Sequence, residues 1–267
     1  MRIRLGYVAI SKKLGITASS TMTYAYYKKL GLKNAHQKLH EIILSNFRDL
    51  EIILNYNINN NISFYRLTSN LIPLLTHQDV KINLNKYKEK FNHIGNIIKL
   101  NNMRVDTHPD QFCVLNSVRE EVVISSISIL KSHQTMFKLL NYDSKAIIHI
   151  GSSVGGKKES IKRFENNFNK LDEKLQKMII LENDDKIFNI SNTLKLCERL
   201  KVPMVLEHHH HLCNNTGQKI EKYIDRIVKT WGNDIPKMHF SSPKSKKEKR
   251  SHNDYIDVDA FIKFIDK

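Results

Sequence analysis

Residues 202–213 have the sequence Val202-Pro-Met-Val-Leu-Glu-His-His-His-His-Leu-Cys213, a short apolar run that ends in a carboxylate and four histidines. The apolar part predicts a buried strand, because it is short, β-branched and marked at its start by a proline. Side chains alternate along a strand, so the four histidines cannot all point one way, but Glu207 and His210 can converge once the chain curls into a loop. A carboxylate with imidazoles is a ligand set for zinc, manganese or iron. An exposed histidine loop is the alternative interpretation.

The rest of the chain repeats the plan of a strand followed by a helix. Short apolar or alternating runs predict strands at 2–10, 63–69, 103–107, 145–151, 177–183, 202–206 and 236–241. Helical spacing of apolar residues predicts helices at 34–56, 83–101, 117–140, 160–175, 191–200, 217–231 and 257–265. Asn34 is an expected N-cap, and Ser117 with Glu120 is an expected capping box. Seven β-α units in strict order indicate parallel strands joined by right-handed crossovers.

Ligand-type side chains recur where the predicted strands end. On the third to seventh strands they are His108, His149, Glu182, Glu207, His210, Lys237 and His239. A barrel explains this placement, because its active site is built from loops at the carboxyl ends of many strands. An open doubly wound sheet would concentrate such groups at one switch point. We therefore predict an α/β fold, a TIM-type (β/α) barrel with parallel strands, as a single domain over residues 1–267.

The charge balance of the chain favours a polyanionic partner. Lys and Arg total 43 against 27 Asp and Glu, which gives a formal net charge of +16. Cations steer phosphates and release their counterions, so nucleic acid is the simplest partner; a composition rich in Asn, Ile and Lys is the alternative explanation. No apolar run approaches the roughly 18 residues that span a bilayer. Three widely spaced cysteines without a Cys-x-x-Cys pair indicate reduced thiols, so we expect a cytoplasmic protein.

The candidate ligands indicate a metal site more strongly together than any one of them does alone. Glu182 follows the apolar run 178–181, where a buried carboxylate needs a cation or a metal beside it. Taken alone, His149 between two isoleucines is more often a hydrogen-bonded core histidine. His77 and His252 could be loop ligands or surface residues, and each alone favours the surface. Six or more ligand-type groups in the same register at strand ends predict a site for several metal ions.

Two further features are candidate contacts for DNA. The run Lys244-Ser-Lys-Lys-Glu-Lys-Arg250 follows the seventh predicted strand. Its cations Lys244, Lys246, Lys247 and Arg250 could meet a phosphodiester backbone, although a solvated loop has the same composition. Tyr7, Gln111 and Phe112 would place an amide and two rings on one rim, where such groups stack on or wedge between opened bases. Packing in the core is the alternative for an isolated phenylalanine.

Together these motifs resemble the UV damage endonucleases, a family of TIM-barrel DNA repair enzymes, over essentially the whole chain. The segments that carry the resemblance are Arg66-Leu-Thr-Ser69 with His77, His108-Pro-Asp-Gln-Phe112, His149 with Gly151, Leu181-Glu-Asn-Asp184, Glu207-His-His-His210, Lys237-Met-His-Phe-Ser241 and His252-Asn-Asp-Tyr-Ile256. The resemblance implies an endonuclease that nicks duplex DNA on the 5′ side of UV photoproducts, chiefly pyrimidine dimers, by metal-activated water. It gives no reason to expect an obligate protein partner, and we expect a monomer.

The resemblance also implies roles for individual residues. Two or three divalent ions, usually manganese in the family, would be held by His108, His149, Glu182, Glu207, His210, His239 and His252. Glu182 would bridge ions, Lys237, which can be carboxylated in the family, would lie nearest the nucleophile, and His77 would lie close by. The residues that probe the damaged strand would be Tyr7, Gln111 and Phe112.

Two departures from the family pattern bear on activity. Glu207 stands where the family usually has aspartate, and the family takes a last metal-binding glutamate from an eighth strand, which is not found before Lys267. We therefore expect a C-terminally incomplete barrel. Two other classes stay open: a sugar isomerase or epimerase barrel, which leaves the net charge unexplained, and a non-catalytic DNA-binding remnant, which has no need of the metal ligands.

Overall fold

The computed structural model describes residues 3–8, 10–109, 112–143 and 145–266. Within them the strands are β1 (Gly6–Val8), β2 (Phe64–Leu67), β3 (Arg104–Thr107), β4 (Ala146–His149), β5 (Ile179–Glu182), β6 (Met204–Glu207) and β7 (Met238–His239). The α-helices are α1 (Tyr24–Leu30), α2 (Leu32–Asn59), α3 (Lys88–Leu100), α4 (Glu120–Leu139), α5 (Lys157–Asn169), α6 (Glu173–Met178), α7 (Ile190–Leu200), α8 (His208–Cys213), α9 (Ile224–Lys229) and α10 (Val258–Ile265). Single 3₁₀ turns lie at Leu84–Tyr87 and Ile220–Lys222.

The strands confirm the predicted parallel α/β class. Their order in the sheet is their order in the chain, and β1 with β2, β2 with β3, β5 with β6 and β6 with β7 pair in parallel. Helices lie between successive strands, as parallel crossovers require. In the described part of the chain no eighth strand follows α10. The prediction of a single domain stays a prediction.

One compact unit comprises the described parts of residues 1–110 and 128–146. It contains β1 to β3 in register, with Tyr7 opposite Tyr65 and Tyr65 opposite Val105. The long helix α2 supplies much of its core with one apolar face, at Leu39, Ile43, Phe47, Leu50, Ile53 and Leu54. These positions recur at helical spacing, which explains why the sequence pattern identified the helix.

The second compact unit comprises the described parts of residues 111–127 and 147–267. Its strands β5 and β6 are buried along their whole length, as central parallel strands are. The registers place Glu182 opposite Val205 and Glu207 opposite His239. Three ligand-type side chains therefore sit at the carboxyl ends of three successive strands of this unit.

The structure differs from the predicted helices in several local details. Helix α1 was not predicted, and α2 begins at Leu32 after Gly31, at φ 72°, rather than with Asn34 as its cap. Ser117 accepts the N–H of Arg119 at 3.1 Å, and α4 begins only at Glu120, so the predicted capping box does not form. The predicted helix 160–175 is two helices, because Asp172 caps a new one by accepting the N–H of Leu175.

No helix in the described residues combines the length and the apolar character needed to cross a membrane.

Candidate metal centre

The carboxylate of Glu182 lies at the carboxyl end of β5 with only 2% of the residue exposed. Its Oε1 accepts a hydrogen bond from His239 Nδ1. Its Oε2 lies 3.4 Å from His149 Nε2, and its backbone oxygen lies 3.3 Å from His149 Nδ1. Two imidazoles thus flank the two oxygens of a buried carboxylate.

A second buried carboxylate, that of Glu207, lies at the end of β6 with 5% of the residue exposed. Its Oε1 accepts the backbone N–H of His209 at 3.0 Å and the hydroxyl of Ser241 at 2.9 Å. Its Oε2 lies 3.8 Å from His239 Nδ1. One oxygen of Glu207 is thus anchored by two donors, while the other faces an imidazole.

The two carboxylates and His239 offer ligand atoms that all lie within 4.8 Å of one another. Burial, and then the charge of nearby Glu182, raise the pKa of Glu207 to about 7. Two buried carboxylates at this distance repel each other unless a proton or a cation lies between them. The donor set of carboxylate oxygens and imidazole nitrogens fits a divalent cation.

Two more predicted ligands lie in the same unit beside this group. His210 donates through Nδ1 to the backbone oxygen of Asn183 at 2.9 Å, and its ring centroid lies 5.7 Å from that of His149. The ring of His252 lies 5.4 Å from that of His210. The unit therefore brings together His149, Glu182, Glu207, His210, His239 and His252.

A hydroxyl connects His252 to Glu207. Ser241 Oγ donates to the carboxylate, and it lies 2.7 Å from His252 Nδ1, which therefore donates to it. A ring that donates through Nδ1 presents Nε2 as its metal-binding atom. Burial and the charges of His210 and His209 lower the pKa of His252, which favours the neutral, ligating form of the ring.

The four consecutive histidines form helix α8 instead of the expected loop. Glu207 is its N-cap, so the carboxylate of the predicted ligand also fixes the start of the helix. The helix sends its histidines in different directions: His208 stacks on Phe240 with ring centroids 4.9 Å apart, and His209 and His211 are buried. Of the four, His210 points to the group around Glu182.

Lys237 is buried immediately before β7, which begins at Met238. The interpretation that it lies nearest the nucleophile, with or without carboxylation, stays a prediction.

Three predicted residues lie in the other compact unit. His77 stacks on Tyr24 with ring centroids 3.8 Å apart, and its Nδ1 accepts the N–H of Asp79 at 3.3 Å. His108, just beyond β3, lies with Nδ1 2.9 Å from the backbone oxygen of Pro109. Tyr7 donates its hydroxyl to Asn57 Oδ1 at 2.8 Å. Their roles at a metal centre or on DNA stay predictions.

Those predicted DNA-contacting residues of the second unit that the structure describes are at the surface. Phe112 is 69% exposed, whereas Gln111 lies outside the described residues. Lys244, Lys246, Lys247 and Arg250 are all exposed. The basic loop that carries them is closed by an antiparallel bridge between Pro243 and His252. Because one end of this bridge is a predicted metal ligand, the basic loop is anchored at the candidate metal centre.

Ion pairs neutralise part of the basic loop. Lys244 pairs with Glu248 at 3.2 Å, and Arg250 Nε lies 3.8 Å from Asp185. Exposed pairs of this kind are weak, so the loop keeps most of its capacity for phosphate.

Asn183 and Ser241 both contact Glu207, although no role was predicted for either residue from the sequence. Asn183 follows Glu182 directly, and Ser241 lies two residues after His239. Their proximity in sequence to predicted ligands was the available signal, but their hydrogen bonds depend on the pairing of distant strands.

Comparisons with known proteins give consistent matches. A family model for UV-endonuclease UvdE matches residues 3–266. The UV DNA damage endonuclease of Bacillus mycoides (strain KBAB4) is 37% identical over 271 residues, covering 99% of this chain and 86% of that protein. The crystal structure of SacUVDE matches with a TM-score of 0.92 at 34% identity, covering 99% of this chain and 89% of that one. The predicted TIM-type fold class is thereby confirmed.

A more distant match carries information on the fold alone. The 3-keto-D-glucoside 4-epimerase YcjR from E. coli has a TM-score of 0.54 at 11% identity, covering 84% of this chain and 82% of that one. Similar folds can serve unrelated chemistries.

Proposed function

The chain belongs to the UV-endonuclease UvdE family, and we propose that it nicks duplex DNA on the 5′ side of UV photoproducts with divalent metal ions, manganese in the first instance. Pyrimidine dimers are the proposed lesions, with abasic sites as a further substrate class. The observation that supports the metal dependence is the group formed by the buried carboxylates of Glu182 and Glu207 and the partly buried ring of His239, whose ligand atoms lie within 4.8 Å of one another.

The proposed ligands within the second unit are His149, Glu182, Glu207, His210, His239 and His252, with His108 as a further ligand and His77 close by. When bound, divalent ions supply positive charge for the phosphate oxygens and lower the pKa of a coordinated water. Glu182 has an imidazole on each of its two oxygens and suits a bridging role. Glu207, with Oε1 anchored, offers Oε2. Lys237 is proposed to lie nearest the nucleophile.

DNA is proposed to bind through the basic loop and a rim of aromatic and amide side chains. The exposed ring of Phe112 can stack on or wedge beside a base, and Tyr7 and Gln111 are proposed to act with it. A lesion weakens stacking, so extruding it from the duplex costs less than extruding intact bases. Selectivity for damage would then follow from the ease of deforming the DNA.

Replacing Lys246 and Lys247 by alanine is expected to weaken binding to irradiated and intact duplexes alike. Each lost phosphate contact lowers the slope of log K against log salt by about 0.9, so the double variant should lose up to about 1.8. Fluorescence anisotropy over a series of salt concentrations measures this slope. Replacement of Lys131 and Lys138, two exposed lysines of α4, makes the same change of charge elsewhere. Equal slopes for the two double variants would remove the basic loop from the DNA interface.

The experiment that tests the proposed function is a nicking assay on supercoiled plasmid. The protein is first freed of metal with a chelator. Irradiated and unirradiated plasmid are then incubated with it, with and without added Mn²⁺. We expect nicks only in irradiated DNA and only with metal, and mapping of the cut strand should place the break 5′ to the lesion. DNA binding with no nicking under any divalent ion would favour the non-catalytic remnant. Absence of both DNA binding and nicking would favour the epimerase class.

A further inference from the structure

Asn183 is fully buried, with 0% of the residue exposed, and its side chain pairs with the backbone of Glu207 at two points. Its Nδ2 donates to the backbone oxygen of Glu207 at 3.0 Å, and its Oδ1 accepts the backbone N–H of Glu207 at 2.9 Å. An amide can make this double contact because it carries a donor and an acceptor side by side. The side chain thus joins the end of β5 to the end of β6 beyond the backbone ladder.

The backbone of Asn183 makes a third contact, to a different predicted ligand. Its carbonyl oxygen lies 2.9 Å from His210 Nδ1. A carbonyl oxygen only accepts, so Nδ1 of His210 carries the proton, and Nε2 holds the lone pair that can bind a metal. Asn183 is also bonded covalently to Glu182. One residue is therefore connected directly to three of the six predicted ligands of the second unit.

We propose that Asn183 is a positioning residue that fixes Glu207 and His210 relative to Glu182 before any metal binds. This inference rests on the proposed metal-dependent function. Ligands that are already oriented lose little conformational freedom on binding, so the contacts around them tune metal affinity. Ser241 and the N–H of His209 hold the carboxylate of Glu207 independently. Asn183 therefore controls where the backbone of Glu207 lies, and Ser241 controls how its side chain is turned.

The test compares Mn²⁺ affinity in Asn183→Ala and in a matched control. Asn46→Ala removes an equally buried amide that bonds to backbone atoms of Ser20, Asn70 and Leu71 in the other unit. Both variants should lose thermal stability, because both leave buried backbone groups unpaired. Only Asn183→Ala should bind Mn²⁺ about 10–100-fold more weakly, by titration of the electron paramagnetic resonance signal of free Mn²⁺.

The outcomes separate this inference from the proposed function. Mn²⁺ affinity equal in the two variants, with the unmodified chain binding tightly, would overturn the role of Asn183 and leave the metal dependence standing. Failure of the unmodified chain to bind any divalent ion would overturn the proposed function. Should Asn183→Ala not fold, the test is made on the metal-free, unmodified chain. ¹⁵N NMR at a pH where imidazole rings are neutral shows which ring nitrogen of His210 carries the proton. We expect His210 protonated on Nδ1; protonation on Nε2 overturns the inference.

Discussion

Replacing Glu182 by glutamine is expected to lower the nicking rate at least about 1,000-fold and to leave DNA affinity nearly unchanged. The variant keeps the shape of the side chain but loses the charge that two imidazoles flank in the structure. Stabilisation of charge by a metal amounts to several kcal/mol, and each 1.36 kcal/mol changes a rate tenfold. Single-turnover nicking of irradiated plasmid measures the rate, and anisotropy with a lesion-containing duplex measures the affinity.

The same substitution should stabilise the metal-free protein. Glu182 and Glu207 are both buried, and the charge of Glu182 contributes to the raised pKa of Glu207. Removing one of two neighbouring buried carboxylates removes their repulsion, so the thermal midpoint without metal should rise. Stability that rises while activity falls would mark Glu182 as a functional group instead of a folding requirement.

A matched control separates the charge change from the position. Glu198→Gln makes the same substitution on α7, where the carboxylate pairs with Arg226 at 2.7 Å on the surface. We expect this variant to nick at the normal rate. Cleavage by Glu182→Gln at the rate of the control would rule out Glu182 as a ligand or a bridging group.

The sequence carried enough information to predict the fold and the location of the candidate ligands. Strands β5 and β6 are buried along their length, so their apolar runs are continuous and end abruptly at Glu182 and Glu207. A carboxylate directly after such a run has few structural explanations, and parallel pairing brings the strand ends to one edge. The pattern within single strands was therefore enough to place Glu182 and Glu207, 25 residues apart in the chain, at the same edge of the sheet.

The details that the sequence did not predict depend on contacts between segments. Whether His208 to His211 form a loop or a helix depends on Glu207 turning its carboxylate back to cap the chain, and on Phe240 lying where His208 can stack. The partners of Asn183 and Ser241 depend in the same way on which strands become neighbours. Local sequence preferences do not predict these contacts, because tertiary packing decides which segments become neighbours.

The free energy of unfolding of the metal-free protein is expected to depend on the protonation of Glu207. Its pKa is raised from an ordinary 4.5 to about 7 by burial and by Glu182. Between these values the folded chain keeps a proton that the unfolded chain has lost, so stability falls as the pH rises. The loss amounts to about 3 kcal/mol when complete, just above pH 7. Denaturant unfolding from pH 5 to 8 measures it.

Comparison with Glu207→Gln isolates this contribution. Burial lowers the pKa of His209 and His252, which makes stability rise with pH through the range of imidazole titration and opposes the carboxylate. The free energy of unfolding of the unmodified chain minus that of Glu207→Gln should therefore fall as the pH rises, even where the stability of the unmodified chain itself changes little. A difference that does not vary between pH 5 and 8 would show that Glu207 titrates near its ordinary value.

Mn²⁺ binding is expected to displace the proton from Glu207. A cation favours the ionised carboxylate, so binding below pH 7 must release the proton that Glu207 holds in the metal-free protein. Calorimetric titrations at pH 6.5 in buffers of different ionisation enthalpy count the protons released. We expect Glu207→Gln to release fewer protons than the unmodified chain and to bind Mn²⁺ more weakly. Equal proton release by the two proteins would mean that Glu207 is already ionised, and that another cationic group already balances the two buried carboxylates.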